Sequence, residues 1–461
     1  MLSRAGWALA LSAALALLLA SGATAATRYA APGGTGKDPC ANPSRPCSVY
    51  TAAEASAPRT TITAGDVIEL APGTYYAREE GEFGYIPPVH LPEGVTLRGE
   101  PGKPRPVVVM PADSFADSAF YVPARAEVAD VEIRNLMETA RAISISGGTI
   151  DGVIARSTIT VEPTCDFDRG TVRNSACIAS GGGPAISGGG TAKGALSVVI
   201  RNSTLVATGP GSVAMGFGFS AFKRGLMVNI DVAGALIAGE AKDITVAGRS
   251  LDEGRGARVD IELRGSRYAT VEAAGRALVT APGTNGNTRA IPLLARDNLH
   301  QLPGSPTVDR GAVDRASGNL DVDEQPRTMG VAADIGADEF DPFAAPLANL
   351  APVTKLLHPE VTGFRWTKFS FVSSDIGSHF ECKLDRRPYR ACEPPHWTKA
   401  ALGQHVFRVR AIDPQGLPDP TPATFRWRVT VPAGILSQAG IGGDLEARIP
   451  SWERNAPTPS P

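Results

Sequence analysis

Histidine is scarce, and none of the six lies between Leu91 and Leu299. That long stretch therefore has no imidazole for general acid–base work. No Cys-x-x-Cys occurs and no histidine sits at ligand spacing beside a cysteine pair, which disfavours a cysteine-based metal centre. Charge of one sign is not in excess, since 45 Lys and Arg face 47 Asp and Glu with the signs interspersed. The absence of a basic stripe argues against nucleic acid as a partner. Beyond Ala20 no apolar run is long enough to cross a membrane, so no transmembrane segment is expected. Aromatics make up only 6% of the 461 residues, whereas 50 Gly and 38 Pro favour turn-rich β structure over helix bundles.

What is present begins with an address. Arg4, the apolar run from Trp7 to Ala20 and the small-residue site Ala23-Thr24-Ala25 form a secretory signal, so residues 1–25 are expected to be removed and the protein exported. Six cysteines then suit an oxidising compartment. They fall into local pairs, Cys40 with Cys47, Cys165 with Cys177 and Cys382 with Cys392, the pairing expected among the 15 possible connectivities.

Residues 26–64 read as an N-terminal cap, with Ser48 starting a short helix through Ala57. Gly65 to Tyr76 reads as a buried strand, a Pro72-Gly73 turn and a second strand. A degenerate repeat of apolar-x-apolar-Arg follows, ending at Arg98, Arg134, Arg156, Arg201 and Arg264. The last three gaps fit one, two and three turns of roughly 22 residues, and the first requires an insertion. The repetition predicts a stacked solenoid with Asn135 and Asn202 at matching turns, and with Glu132, Arg134, Arg201, Asp260, Glu262 and Arg264 on or beside the outer face.

The cap, the Gly65-Asp66-Val67-Ile68-Glu69-Leu70 rung and the repeats resemble the right-handed parallel β-helix proteins of the pectate-lyase-like superfamily. Leu302 to Gly311, Asp321 to Arg327 and Asp334 to Phe340 resemble the choice-of-anchor Q element of secreted bacterial surface proteins, read here as a closing cap. After a Pro/Ala linker at 341–352, the alternating strands of 353–431 resemble a small bacterial Ig-like β-sandwich, in which His405 is expected to be structural. The expected fold is all-β: a right-handed parallel β-helix over 65–340 with its N-terminal helical cap, then an antiparallel Ig-like β-sandwich and a disordered tail at 432–461.

The best chemical constellation is Glu162 to Gly170, expected as a loop tied by Cys165 and Cys177. Asp166 and Asp168 could ligate Ca²⁺ or a saccharide hydroxyl, and Arg169 or Arg173 could contact a uronate. A second Ca²⁺ position is conceivable at Asp321 to Glu324; otherwise no cofactor is expected. Gly216 to Phe222 is expected to stack its phenylalanines in the core. Residues 351–431 carry a net charge of +5, which favours an anionic polymer. The expected protein is a secreted or surface-associated monomer that contacts polysaccharide, cell-wall glycan or other surface proteins without catalysis. Its alternative is a polysaccharide lyase, or less plausibly a glycoside hydrolase, acting on acidic polysaccharide.

Overall fold

The computed structural model describes residues 25–36, 39–53, 62–76, 89–112, 117–158, 162–191, 194–221, 225–251, 256–345, 347–357, 359–361 and 365–430. The expected signal before Ala25, the tail after Thr430, the helix beyond Ala53, and Phe222 lie outside these residues.

The stretch from Gly65 to Tyr76 folds as its pattern predicts. Val67–Leu70 alternates, with Ile68 and Leu70 buried inside. The chain then turns at Gly73, whose φ of +136° suits a residue without Cβ, and restarts as Thr74–Tyr76. Tyr75 is buried and its hydroxyl donates to the carbonyls of Ala30 and Ala71, tying this rung to the strand before it. Upstream, Ser48 Oγ accepts a 3.1 Å hydrogen bond from Thr51 N at the start of a five-residue helix, Val49–Ala53.

Repeated turns build long parallel sheets in a solenoid-like stack. Face I holds Val67–Leu70, Thr96–Gly99, Glu127–Ala129, Gly194–Arg201, Leu226–Ala233 and Ala257–Arg264. Face II is a seven-stranded sheet from Thr74–Tyr76 to Leu236–Gly239. Face III includes Phe120–Val122, Ile186–Thr191, Val213–Ala221 and Lys242–Ser250. Ile143–Asp151 and Cys165–Arg173 run through both III and I, so these two faces share one 16-stranded sheet. Side chains at alternate positions point inward and stack on their equivalents one rung away. Valine, isoleucine and leucine make up most of this single continuous core. Phe217 and Phe219 lie inside it with parallel rings 6.2 Å apart, as expected for core residues.

The corner between faces I and II repeats a backbone conformation rather than a charge. Asp130, Gly152, Asn174, Asn202, Gly234 and Gly265 occupy it in turn, all with φ between +39° and +65°. Only Gly, Asn and Asp visit this left-handed region at low cost, which explains the turn residues in the sequence. Ser175, Ser203 and Ser266 follow the corner, and each hydroxyl donates to the carbonyl two residues back, from Arg173, Arg201 and Arg264. Each also accepts a backbone N–H from the preceding rung: Val153, Ser175 and Ala235 respectively.

This arrangement corrects the arginine repeat. Arg134 pairs with Arg156 on face II, whereas Glu69, Arg98, Ala129, Asp151, Arg173, Arg201, Ala233 and Arg264 form one column on face I. The apparent period therefore mixes two columns, and the rungs are unequal: 22 residues separate Asp151 from Arg173 but 29 separate Glu69 from Arg98. Asn135 lies within face II and meets Ser157, while Asn202 is a corner residue, so the expected amide stack does not form. Arg201 is also not an outer solvated residue, being only 3% exposed.

Residues 293–340 do not close the end of the stack. They run along the outside of face II, where Ile335 covers Val206, Leu236 and Ala238, and Leu299, Val322 and Ala337 cover Ile154, Ala176 and Ile178. The strands Ala176–Ala179 and Thr204–Ala207 are thereby buried on both sides. Gly336 N donates to Gly234 O and Ala337 N to Thr204 Oγ1. Arg327 donates to the carbonyls of Gly336 and Ala337.

The C-terminal region is antiparallel. Trp366–Phe369 pairs with His396–Lys399, and His379–Leu384 pairs with Arg390–Cys392 and Gly403–Ile412. Phe369 stacks on Phe407 at 3.9 Å to join these layers. All three local cysteine pairs are disulfides. His405 is anchored between Asp385 and the Ala401 carbonyl, at 2.9 and 2.8 Å.

Candidate functional site

Of the expected loop from Glu162 to Gly170, the part from Cys165 onward is instead strand, within Cys165–Arg173. Cys165 and Cys177 are fully buried, so their bridge staples face III to face II inside the core rather than holding a loop above it. Asp166 and Asp168 alternate with buried Cys165 and Phe167, and so point outward on face III. Arg141 Nη2 lies 2.9 Å from Glu162 and its Nε 3.4 Å from Asp166, giving these acids a cation from the protein itself. Burial raises the Asp166 carboxyl above its ordinary value, with Arg141 acting against the shift. Asp168 Oδ2 accepts from Ser146 Oγ, whereas Oδ1 is buried without a partner among the described residues.

Arg169 is exposed at the bend between faces. Arg173 lies on face I, where it binds Asp151 at 2.7 Å and Glu127 at 3.3 Å. The four predicted residues therefore do not converge: the two acids share one face, and Arg173 is occupied on another. Arg141 was not singled out in the sequence because it lies one rung away, beyond any local motif. The alternative Ca²⁺ position is likewise engaged, since Asp321 accepts backbone N–H groups from Asp323, Gln325 and Glu339.

A different group of residues meets in the C-terminal region. A pocket of about 660 Å³ opens over the Cys382–Cys392 bridge and is lined by Trp366, Trp397, Lys383, Arg387, Arg390 and Lys399. Among the described residues its lining contains four cationic side chains and no carboxylate. Arg387, Arg390 and Lys399 are exposed, so their charges reach solvent. Antiparallel pairing puts Trp366 opposite Lys399, whose Nζ stands 5.5 Å from the indole ring. The Trp366 Nε1 is buried without a hydrogen-bond partner among the described residues, so a donor is left to be satisfied. His396 lies deeper, against Phe407, and burial lowers its pKa, leaving the ring neutral at pH 7.

This arrangement can hold an extended anion. Four cations attract it over a Debye length of about 8 Å at physiological salt, and the indoles offer flat apolar surface to a sugar ring. The sequence showed the net positive charge of this region but not the pocket, because residues from 366 to 407 must fold together to form it. No family model, curated protein or solved structure matches this chain.

Proposed function

We propose that this chain is a secreted, non-catalytic binding protein whose C-terminal module engages an acidic polysaccharide. In this reading residues 65–340 are a right-handed parallel β-helix of the pectate-lyase-like superfamily with a choice-of-anchor Q element, after a cap at 26–64. Residues 353–431 are the Ig-like sandwich that carries the binding pocket. The supporting observation is the lining of that pocket: four cations with two tryptophans and, among the described residues, no carboxylate. A polymer of uronate or sulfated sugars matches both features, since each unit brings a negative charge and a ring that stacks on indole. Export accords with three disulfides.

The test is calorimetric titration of the mature chain with polygalacturonate fragments. Saturable binding that weakens with added salt is expected, and Arg387→Ala with Arg390→Ala should reduce affinity at least tenfold. Salt-independent binding, or binding indifferent to both substitutions, would overturn the assignment to this pocket. The second reading, a polysaccharide lyase, draws on Asp166, Glu162 and Arg141 gathered on face III. Chromatography of the same polymer after incubation with protein and Ca²⁺ separates the two. Shortened chains with unsaturated ends would sink the non-catalytic reading.

A further inference from the structure

The flanking segment 293–340 holds a second polar constellation, unrelated to the basic pocket. His300 is tethered through Nδ1 to Asp297, whose Oδ1 also accepts the backbone N–H groups of Leu299 and His300. These bonds orient the ring and turn Nε2 towards Asp323, 2.8 Å away. Asp338 completes the group: one ligand-type atom from each of His300, Asp323 and Asp338 lies within 4.8 Å of the others.

Asp338 is the unusual member. It is only 6% exposed, and its one hydrogen bond among the described residues runs from Gln301 N to Oδ2. Two cations border the group: Arg105 donates to the Val322 carbonyl and lies 3.8 Å from the Asp323 carboxylate, and Arg156 donates to the Asp297 carbonyl at 2.6 Å and lies 3.8 Å from its carboxylate, whereas no ion pair to Asp338 is formed among the described residues.

We propose that His300, Asp323 and Asp338 form a site for a divalent transition-metal ion of the zinc class, with Asp297 as the positioning residue. One imidazole nitrogen and two carboxylates suit a borderline ion, leaving further coordination positions for solvent. A carboxylate on the remote nitrogen of a ligating histidine fixes its tautomer and strengthens it as a ligand. Metal entry replaces the proton shared between Nε2 and Asp323, and that proton leaves to solvent. Because His300, Asp323 and Asp338 lie far apart along the flanking segment, the ion would clamp its separate parts together beside face II.

The experiment uses the full mature chain, stripped with a chelator and titrated at pH 8 with Zn²⁺ alone, then with Ca²⁺ alone. Expected are one equivalent of Zn²⁺ at micromolar affinity, a rise in Tm, and visible absorption bands when Co²⁺ is substituted. Asp338→Asn keeps the shape of the site and should weaken Zn²⁺ binding at least tenfold and abolish the Co²⁺ bands; His300→Gln should do the same. Failure to bind 1 mM Zn²⁺, binding unchanged in both variants, or tighter binding of Ca²⁺ than of Zn²⁺ would each overturn the proposal. Polygalacturonate binding by the stripped protein reports separately on the basic pocket.

Discussion

Arg201 stands in the outward column of face I, yet its side chain is only 4% exposed, because Asp314 of the flanking segment closes over it. Its guanidinium binds Asp231 and Asp314 and donates to the carbonyls of Ile200 and Asp231. Removing it leaves Asp231 and Asp314 with Arg264 as their shared cation and takes a donor from two carbonyls, so Arg201→Ala should cost about 2 kcal/mol, below fully buried pairs because the acids remain partly solvated and paired. Urea unfolding would measure this, and a loss below half a kcal/mol would contradict it. Asp130 makes an opposite case. Burial first, then the neighbouring Glu324 charge, pushes its carboxyl up to about 6. An acid raised in the folded state binds its proton more tightly there, so stability falls as pH climbs from about 4 to 6 and stays reduced above. Asp130→Asn should therefore stabilise the protein at pH 7 by about 1 kcal/mol and flatten this part of the pH profile. Asparagine also suits the φ of +53° at that corner.

At the scale of elements, the corner and the staples decide how the rungs hold. A Cβ on Gly234 would run into the Asn202 amide and the Ala312 carbonyl, and its φ of +65° disfavours a side chain. Gly234→Ala should cost about 2 kcal/mol or more, whereas Asn174→Gly at the equivalent corner keeps the backbone conformation and should cost about 1 kcal/mol, chiefly the lost hydrogen bond to Asp151. Thermal unfolding of the two variants compares them directly, and equal losses would refute the repeated-corner account. The disulfides differ in what surrounds them. Cys165–Cys177 lies within the long continuous core, whereas Cys382–Cys392 ties one hairpin of a small antiparallel region with few buried residues of its own. Reduction should loosen the C-terminal region more than the stack, because a small core depends more on its staple. Hydrogen exchange with and without reductant would show it, and equal deprotection of both would contradict it.

For the whole molecule, the segment at 293–340 is the joint. It covers the apolar outside of face II, and Asn298 bonds Ser374 O and Ile376 N in the C-terminal region. Ile335→Asp would place a charge against Val206, Leu236 and Ala238 and should cost several kcal/mol. Exposed apolar surface should then bind a fluorescent hydrophobic dye, and unchanged fluorescence with unchanged Tm would show that the covering contributes little.

The short-range features were legible from residues alone. Gly65 to Tyr76 announces a rung, the glycine and asparagine turns announce left-handed corners, and each cysteine lies close in sequence to its partner. Alternation and backbone preference act over a few residues, so sequence carries them directly. The assignment of Arg134 and Arg201 to different faces was not legible, because alternation tells inside from outside but not which of several faces a strand joins. Ala176-Cys177-Ile178-Ala179, apolar at every position, did hold a sign that face II is covered on both sides. What covers it could not be read there, nor could the pairing of Asp166 with Arg141. The amino-acid sequence by itself determined a β-rich, disulfide-tied chain of stacked turns. Only tertiary structure decided that the acids of 162–173 diverge from Arg173, that Trp366 lines one pocket with Arg387 and Arg390, and that His300 meets Asp323 and Asp338. Those meetings depend on unequal rung lengths and on long-range closure, which no local pattern encodes.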